Sequence, residues 1–486
     1  MSKSEDNIND IKFILERVIW YLKQPHGKLI EYFKENKLDA FYSLPHPEGG
    51  MLICGLEANK RFESISKRFL STQKEKKHKT DISKFTNELK NEFVDKFILK
   101  EQEICQKTAD RMIASSYKRV ARNFKAITHF IPCSIFNTSK PSIFIVGPVE
   151  FLHKSQFFIR YEKEIEARRE EIAKEHRERC QIAIKKGMPA ERVATTEQSK
   201  KLGNFLVDGL REFYDQYDWF SVVDITECDP IISYDKALFT TRTALNILKL
   251  LLGVQYTDKI RTAYDSGIPN KSAKLSKPLN EKLDISLAAG YNGNIPGDKW
   301  YEAIIEKGGY FFNLAALALT YCNNFDNIPP LSIRFVDALS WYGDGISEKV
   351  PAAQVIKLVS SMERMTGTGK ENDGDGNNRG VTGIVTKRSA ILYHHATEES
   401  FGSCLEEIKK IYDCRSNLVH GTISPFDDQV VAIAYKATEM TRMILLQGLE
   451  FFNFIGLDKM DLSQKDLRTY YRHLEKGYFG KRKIEK

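Results

Sequence analysis

The chain has no CxxC pair, no Cys/His spacing suited to a metal, no charge-free stretch of bilayer length and no apolar leader at its start. Each absence excludes something. Eight cysteines stand at 54, 105, 133, 180, 228, 322, 404 and 414 with no pairing pattern. That excludes a zinc finger or a thioredoxin-like motif and points to reduced thiols in a cytosolic protein. The opening MSKSEDNINDIKF is polar, and the most apolar later stretches are broken by charges well short of the roughly 20 residues that a spanning helix needs. Neither secretion nor membrane insertion is expected, and the location is read as cytoplasmic. GxSxG, HExxH and paired-carboxylate constellations are missing too, which leaves the common hydrolase chemistries without a candidate.

Two partial motifs fail on inspection. Gly367-Thr368-Gly369-Lys370 resembles the end of a phosphate-binding loop, but Arg364 and Glu371 occupy the positions where Gly and Ser or Thr are required. Asp373, Asp375 and Asn377 open like a calcium loop, yet Asn378 and Ile384 stand where Gly and Glu belong. His394 and His395 are adjacent and would point about 100° apart on a helix, so they do not form a same-face metal pair. No cofactor and no metal are expected.

What is present is enough apolar material for packed interiors: 42% of the residues are hydrophobic and 28% charged. A length of 486 residues calls for two or three units. The net charge of +8 raises the prior for a polyanionic partner without demonstrating one. Residues 60–79, KRFESISKRFLSTQKEKKHK, concentrate that charge around Phe62 and Phe69. A solvated helix followed by a loop is the plainer reading, and an RNA-holding patch the other.

Along the chain, residues 8–36 and 82–125 have helical apolar spacing, so 1–135 reads as a helical N-terminal region. Strands are expected at 142–146 and 219–225, where β-branched and aromatic residues sit between turn signals. Residues 161–186 read as a long, solvated, highly charged helix, and 265–300, rich in Gly, Pro, Asn and Ser, as a loop or insertion. Together 136–345 form an α+β middle region. Helices at 351–366, 384–396, 404–420 and 427–455 imply a bundle over 346–460, interrupted by the link TGTGKENDGDGNNRGVTG, and 461–486 reads as a basic tail. The fold class is therefore mainly α, with a C-terminal bundle behind a helical and α+β N-terminal region.

The segment SCLEEIKKIYDCRSNLVHG is the most informative. Ser403 and Glu406 have capping-box spacing, Leu405, Ile408, Ile411 or Tyr412, and Val419 make an apolar stripe, and Gly421 is a helix stop. Arg415 and His420 are then about 7.5 Å apart along the axis and about 140° around it. Between them there is room for a phosphate, bound by the guanidinium fork while the imidazole moves protons. A base or acid and a cation are the minimum equipment for cleaving RNA without metal. The macrodipole alone also favours Arg and His in a last turn, so the spacing by itself does not decide.

IYDCRSNLVHG resembles the RSxxxHG signature of HEPN domains, in particular the Apea-like group of bacterial anti-phage defence proteins. SSMERM at 360–365 is similar to that group's first-helix segment, and TKRSAILYHH to its intermediate helix. The likeness spans about residues 350–457. It implies that Arg415 and His420 are the catalytic pair, that Glu363 is the acidic residue joining them, and that Ser416 supports the site, with Asn417 in a weaker supporting position. Many relatives have Asn, Asp or His where Ser416 stands. It further implies a homodimer with a composite groove, RNA as substrate, 2′,3′-cyclic phosphate products, and an N-terminal region that senses a phage-derived trigger or holds the nuclease inactive. The competing expectation is a non-catalytic RNA- or protein-binding module in which the bundle only dimerises.

Overall fold

A computed structural model describes residues 3–46, 49–136, 140–185, 195–254, 260–265, 271–276, 284–289, 299–323, 325, 327–372, 378–397 and 399–477. The chain is mainly α with an α+β part. It divides into two compact units, Met1–Thr128 with Asp224–Ala237 and His129–Val223 with Leu238–Lys486.

The first unit contains α1 (Lys3–Lys23), α2 (His26–Glu35), the hairpin β1 (Ser43–Pro45) and β2 (Met51–Ile53), α3 (Gly55–Thr72), α4 (Lys74–Lys77), α5 (Ile82–Phe93) and α6 (Gln106–Ala121). Helix α5 shows why the sequence folds so. Asp81 caps it by accepting from the Lys84 amide, and Phe85, Leu89 and Phe93, spaced by four, all turn inward. They join Ile11, Ile14, Phe62 and Met112 in one core. The basic stretch 60–79 forms the rest of α3 and then α4, where a solvated helix and a loop were expected, and its aromatic residues turn inward. Phe62 is buried, Phe69 packs against Phe85 and Tyr117, and Arg61 and Arg68 both pair with Asp10. The 224–237 segment is held by buried Asp229, whose two oxygens accept from Lys84 Nζ at 2.9 Å.

The second unit has a five-stranded sheet in the order β4-β5-β6-β3-β7, formed by β3 (Lys125–Ser134), β4 (Ile143–Val146), β5 (Val149–His153), β6 (Trp219–Cys228) and β7 (Arg261–Thr262). The boundary between the units falls inside β3 and β6. Neighbouring β4, β5 and β6 pair antiparallel, as do β3 and β7. Both expected strands are present.

The charged segment forms α7 (Lys154–Lys185), which is not solvated on all sides. It folds back on α8 (Thr196–Tyr214): Glu162 and Glu166 meet Arg211, Arg169 meets Asp208, and His176 meets Ser199, an antiparallel hairpin. Charge along a helix read as exposure because Arg211 and Asp208, which pair with Glu162, Glu166 and Arg169, lie in the next helix. Within 265–300, β8 (Lys271–Ser276) and β9 (Asp284–Ala289) make a separate antiparallel ladder.

Helix α9 (Pro230–Leu252) leads towards α10 (Trp300–Asn323), α11 (Pro330–Ile346), α12 (Pro351–Thr366), α13 (Val381–Ala396), α14 (Phe401–His420), α15 (Asp428–Ile455) and α16 (Gln464–Glu475). Helix α12 packs against α11, α13, α14 and α15, burying Leu358, Val359 and Met362. Residues 461–486, read as a tail, include α16, in which Leu467, Tyr471 and Leu474 are buried. Asp373, Asp375 and Asn377 lie outside the described residues.

Candidate functional site

Helix α14 is set at both ends. Its N-cap is Ser400, whose hydroxyl accepts from the Ser403 amide at 3.2 Å, so the cap lies one residue before the helix and Ser403 belongs to its first turn. The capping-box reading at Ser403 was therefore displaced by three residues. At the other end Gly421 takes φ 72°, a left-handed conformation that costs glycine little. The Asn417 carbonyl accepts from Thr422 N at 2.9 Å and closes the turn.

The buried side of α14 consists of Cys404, Ile408, Ile411, Tyr412 and Cys414. Val419, expected on the apolar stripe, is instead exposed. It sits in the last turn, past Cys414, the last buried residue of the helix. Ser416 is half-buried and Asn417 exposed.

Arg415 is half-buried and His420 exposed. Glu363, on α12, lies against the first of them. One carboxylate oxygen accepts from Tyr412 Oη at 2.6 Å, and the other is 3.6 Å from Arg415 Nη2. Burial, then the bond to Glu363, hold the Tyr412 hydroxyl above its ordinary pKa, which keeps it a donor. The fold thus gathers Arg415, Tyr412 and Glu363 from two helices, with His420 at the solvent end of the same helix.

The guanidinium is only partly engaged. A separation of 3.6 Å is an ion pair without a good hydrogen bond, and Arg415 Nε has no hydrogen-bond partner among the described residues. Nε is enclosed, so a phosphate oxygen would meet the exposed part of this side chain, which is 28% exposed. Tyr412 was legible only as a possible stripe residue. Its role beside Glu363 depends on how α12 and α14 cross, which spacing does not encode.

The two adjacent histidines diverge in their surroundings. His394 Nδ1 lies 2.7 Å from the Glu399 carbonyl, and His395 is exposed. Among the described residues no group of three or more His, Cys, Asp or Glu could hold a metal ion, and no helix is long and apolar enough to cross a membrane. All eight cysteines are free thiols. Comparison with family models, with curated proteins and with solved structures finds no match for this chain.

Proposed function

We propose that the chain is an endoribonuclease that cleaves RNA at Arg415 and His420 without a metal, an effector of anti-phage defence in the manner of the HEPN domains it resembles. The observation that carries this reading is the under-committed guanidinium of Arg415, braced by Glu363 and placed one and a half turns before an exposed His420. In the proposed step a His420 imidazole takes the proton of a ribose 2′-hydroxyl. The freed oxygen attacks the adjacent phosphorus, the P–O5′ bond breaks, and the 5′-oxygen leaves with a proton from a second acid. Arg415 offsets the charge that builds on the non-bridging oxygens. Glu363 is a positioning residue, since it touches the arginine and not the phosphate.

This chemistry needs only an acid, a base and a cation, so purified protein is expected to cut single-stranded RNA in excess chelator and to leave 2′,3′-cyclic phosphate ends. Mass spectrometry of the fragments checks it. Activity that vanishes in chelator and returns with magnesium, or 3′-hydroxyl ends, would replace this mechanism with metal-assisted hydrolysis.

One chain supplies one imidazole, whereas the step asks for a base and an acid. A second copy would provide both, with the partner's His420 as the acid. Exposed apolar side chains flank the motif and favour such a pairing. Val419 precedes His420, Phe426 is 90% exposed in the following turn, and Val431 and Tyr435, 81% exposed, share one face of α15. With a composite site, mixing wild-type chains with a fraction f of His420→Ala chains under subunit exchange is expected to leave activity near (1 − f)². A linear decline in dimers verified by light scattering would mean that each chain works alone.

A further inference from the structure

Helices α11 and α16 both begin at a cavity of about 180 Å³ in the second unit. Pro330, the first residue of α11, and Gln464, the first of α16, line it together with Arg334 and Arg364. None of the described residues that line it is a carboxylate. Arg364 has its counter-charge outside the cavity, since Nε and Nη2 lie 2.9 and 2.6 Å from Asp337 Oδ2. Arg334 is different. It is only 7% exposed, its Nε donates to the Met365 carbonyl at 3.3 Å, and its other hydrogen-bond partner is the Tyr471 hydroxyl, so both partners are neutral. Burial above all, with the charges of Arg364 and Arg388 adding, holds its pKa below the ordinary arginine value against an opposing effect of Tyr471. A buried cation whose charged neighbours are other arginines is destabilising, and an anion in the cavity would offset that cost.

The two helix starts are an independent feature of the same cavity. The first amides of a helix find no acceptor within it, and its dipole is positive at that end. At α16 the Ser463 hydroxyl accepts from Asp466 N at 3.2 Å and the Ser463 carbonyl from Leu467 N at 3.1 Å, which leaves the Gln464 and Lys465 amides. Asp466, the carboxylate of that turn, is engaged through Oδ2 with Ser463 and does not line the cavity. Ile333, Leu462 and Leu467 make the rest of the wall apolar, and a charge interaction is stronger in such surroundings than in water.

From the uncompensated Arg334 and the two helix starts we propose that this cavity binds a phosphate group, as the free ion or as the end of a monoester. The Arg334 guanidinium donates to the phosphate oxygens, Arg364 adds positive charge, and the Gln464 amide completes the set at the helix start. The volume is below the roughly 300 Å³ at which small-molecule pockets begin, so an ester leaves its organic part in solvent. This assignment is independent of the nuclease reading, because its test measures binding without RNA.

Isothermal titration of the full chain with inorganic phosphate and with phenyl phosphate, at constant ionic strength, tests it, together with thermal unfolding in phosphate and in sodium chloride. Phosphate is expected to bind and to raise the unfolding temperature above that in sodium chloride of equal ionic strength. Arg334→Met is expected to weaken binding about tenfold or more, as loss of a charged hydrogen bond does. Gln464→Pro is the second probe, and it decides should Arg334→Met fail to fold. The first helical position tolerates proline, and Ser463 before it is already extended at φ −77° and ψ 160°, so the change removes the amide N–H and a long side-chain bond of 3.4 Å to the Thr368 carbonyl. Binding is expected to weaken several-fold. Tighter binding of phosphate than of phenyl phosphate assigns the site to the free ion, and the reverse assigns it to an ester. The proposal is overturned if neither binds at millimolar concentration, if sodium chloride protects as well as phosphate, or if either variant binds as tightly as the wild type.

Discussion

Replacing His420 with Ala is expected to lower RNA cleavage by about 10²–10⁴-fold, the usual loss when a general acid or base is removed. Folding should be nearly unaffected. The His420 side chain is exposed, and the helix is closed after it by Gly421 in its left-handed conformation and by the Thr422 amide on the Asn417 carbonyl. Those are backbone interactions, so truncating the imidazole leaves them in place. Cleavage rates on a single-stranded RNA, with circular dichroism as the folding control, measure both effects. A variant with an unchanged rate and intact helix content would remove His420 from the chemistry and favour the non-catalytic binding reading.

Much of the C-terminal bundle was legible because its helices carry their own punctuation. Residues 351–366 begin on a proline at the first helical position and stop before Gly367, and the observed α12 has those limits. The end of α14 was equally plain from Gly421. Its start was not, because Ser400 and Ser403 are both good caps and only the structure shows which hydroxyl meets an orphan amide. The pairing of Glu363 with Arg415 was suggested by family likeness alone. They are joined by packing between helices far apart in the chain, and no periodicity records that. The same limit hid α8 as the partner of α7. It also hid the membership of 224–237 in the first unit, since consecutive stretches of sequence do not express a discontinuous one. Phe62 and Phe69 illustrate the reverse case. Basic residues around them suggested a surface, while their helical spacing directed them to the core.

Arg388 was invisible for a related reason, since arginine is rarely buried, and it carries the largest stability effect expected in the bundle. Its side chain is 0% exposed, and all five guanidinium N–H groups are used. Nη2 donates to both oxygens of Glu371 at 2.9 Å, Nε to Glu475 at 2.8 Å, and Nη1 to the Thr366 carbonyl at 3.2 Å and to Thr368 Oγ1 at 2.7 Å. The group also lies over the Tyr471 ring at 4.5 Å. One residue thereby ties α13 to α16 and to the chain leaving α12, three residues beyond Glu363. Arg388→Met is expected to cost about 3–5 kcal/mol, because it removes the counter-charge of the buried Glu371 carboxylate and takes from Glu475 its partner at 2.8 Å, leaving Lys387 at 3.6 Å. Removing the carboxylates as well, in Arg388→Met with Glu371→Leu and Glu475→Leu, is expected to recover most of that loss, since a packed apolar cluster of similar volume is often as stable as a buried ion pair. Urea unfolding followed by helix content compares the three proteins. If the single variant unfolds at the wild-type midpoint, the network is not what holds α16 to the bundle. If the triple variant is weaker than the single one, the stability comes from the contacts Glu371 and Glu475 keep without Arg388, which include the Thr368 hydroxyl on Glu371 and the ion pair of Glu475 with Lys387, and not from the guanidinium of Arg388.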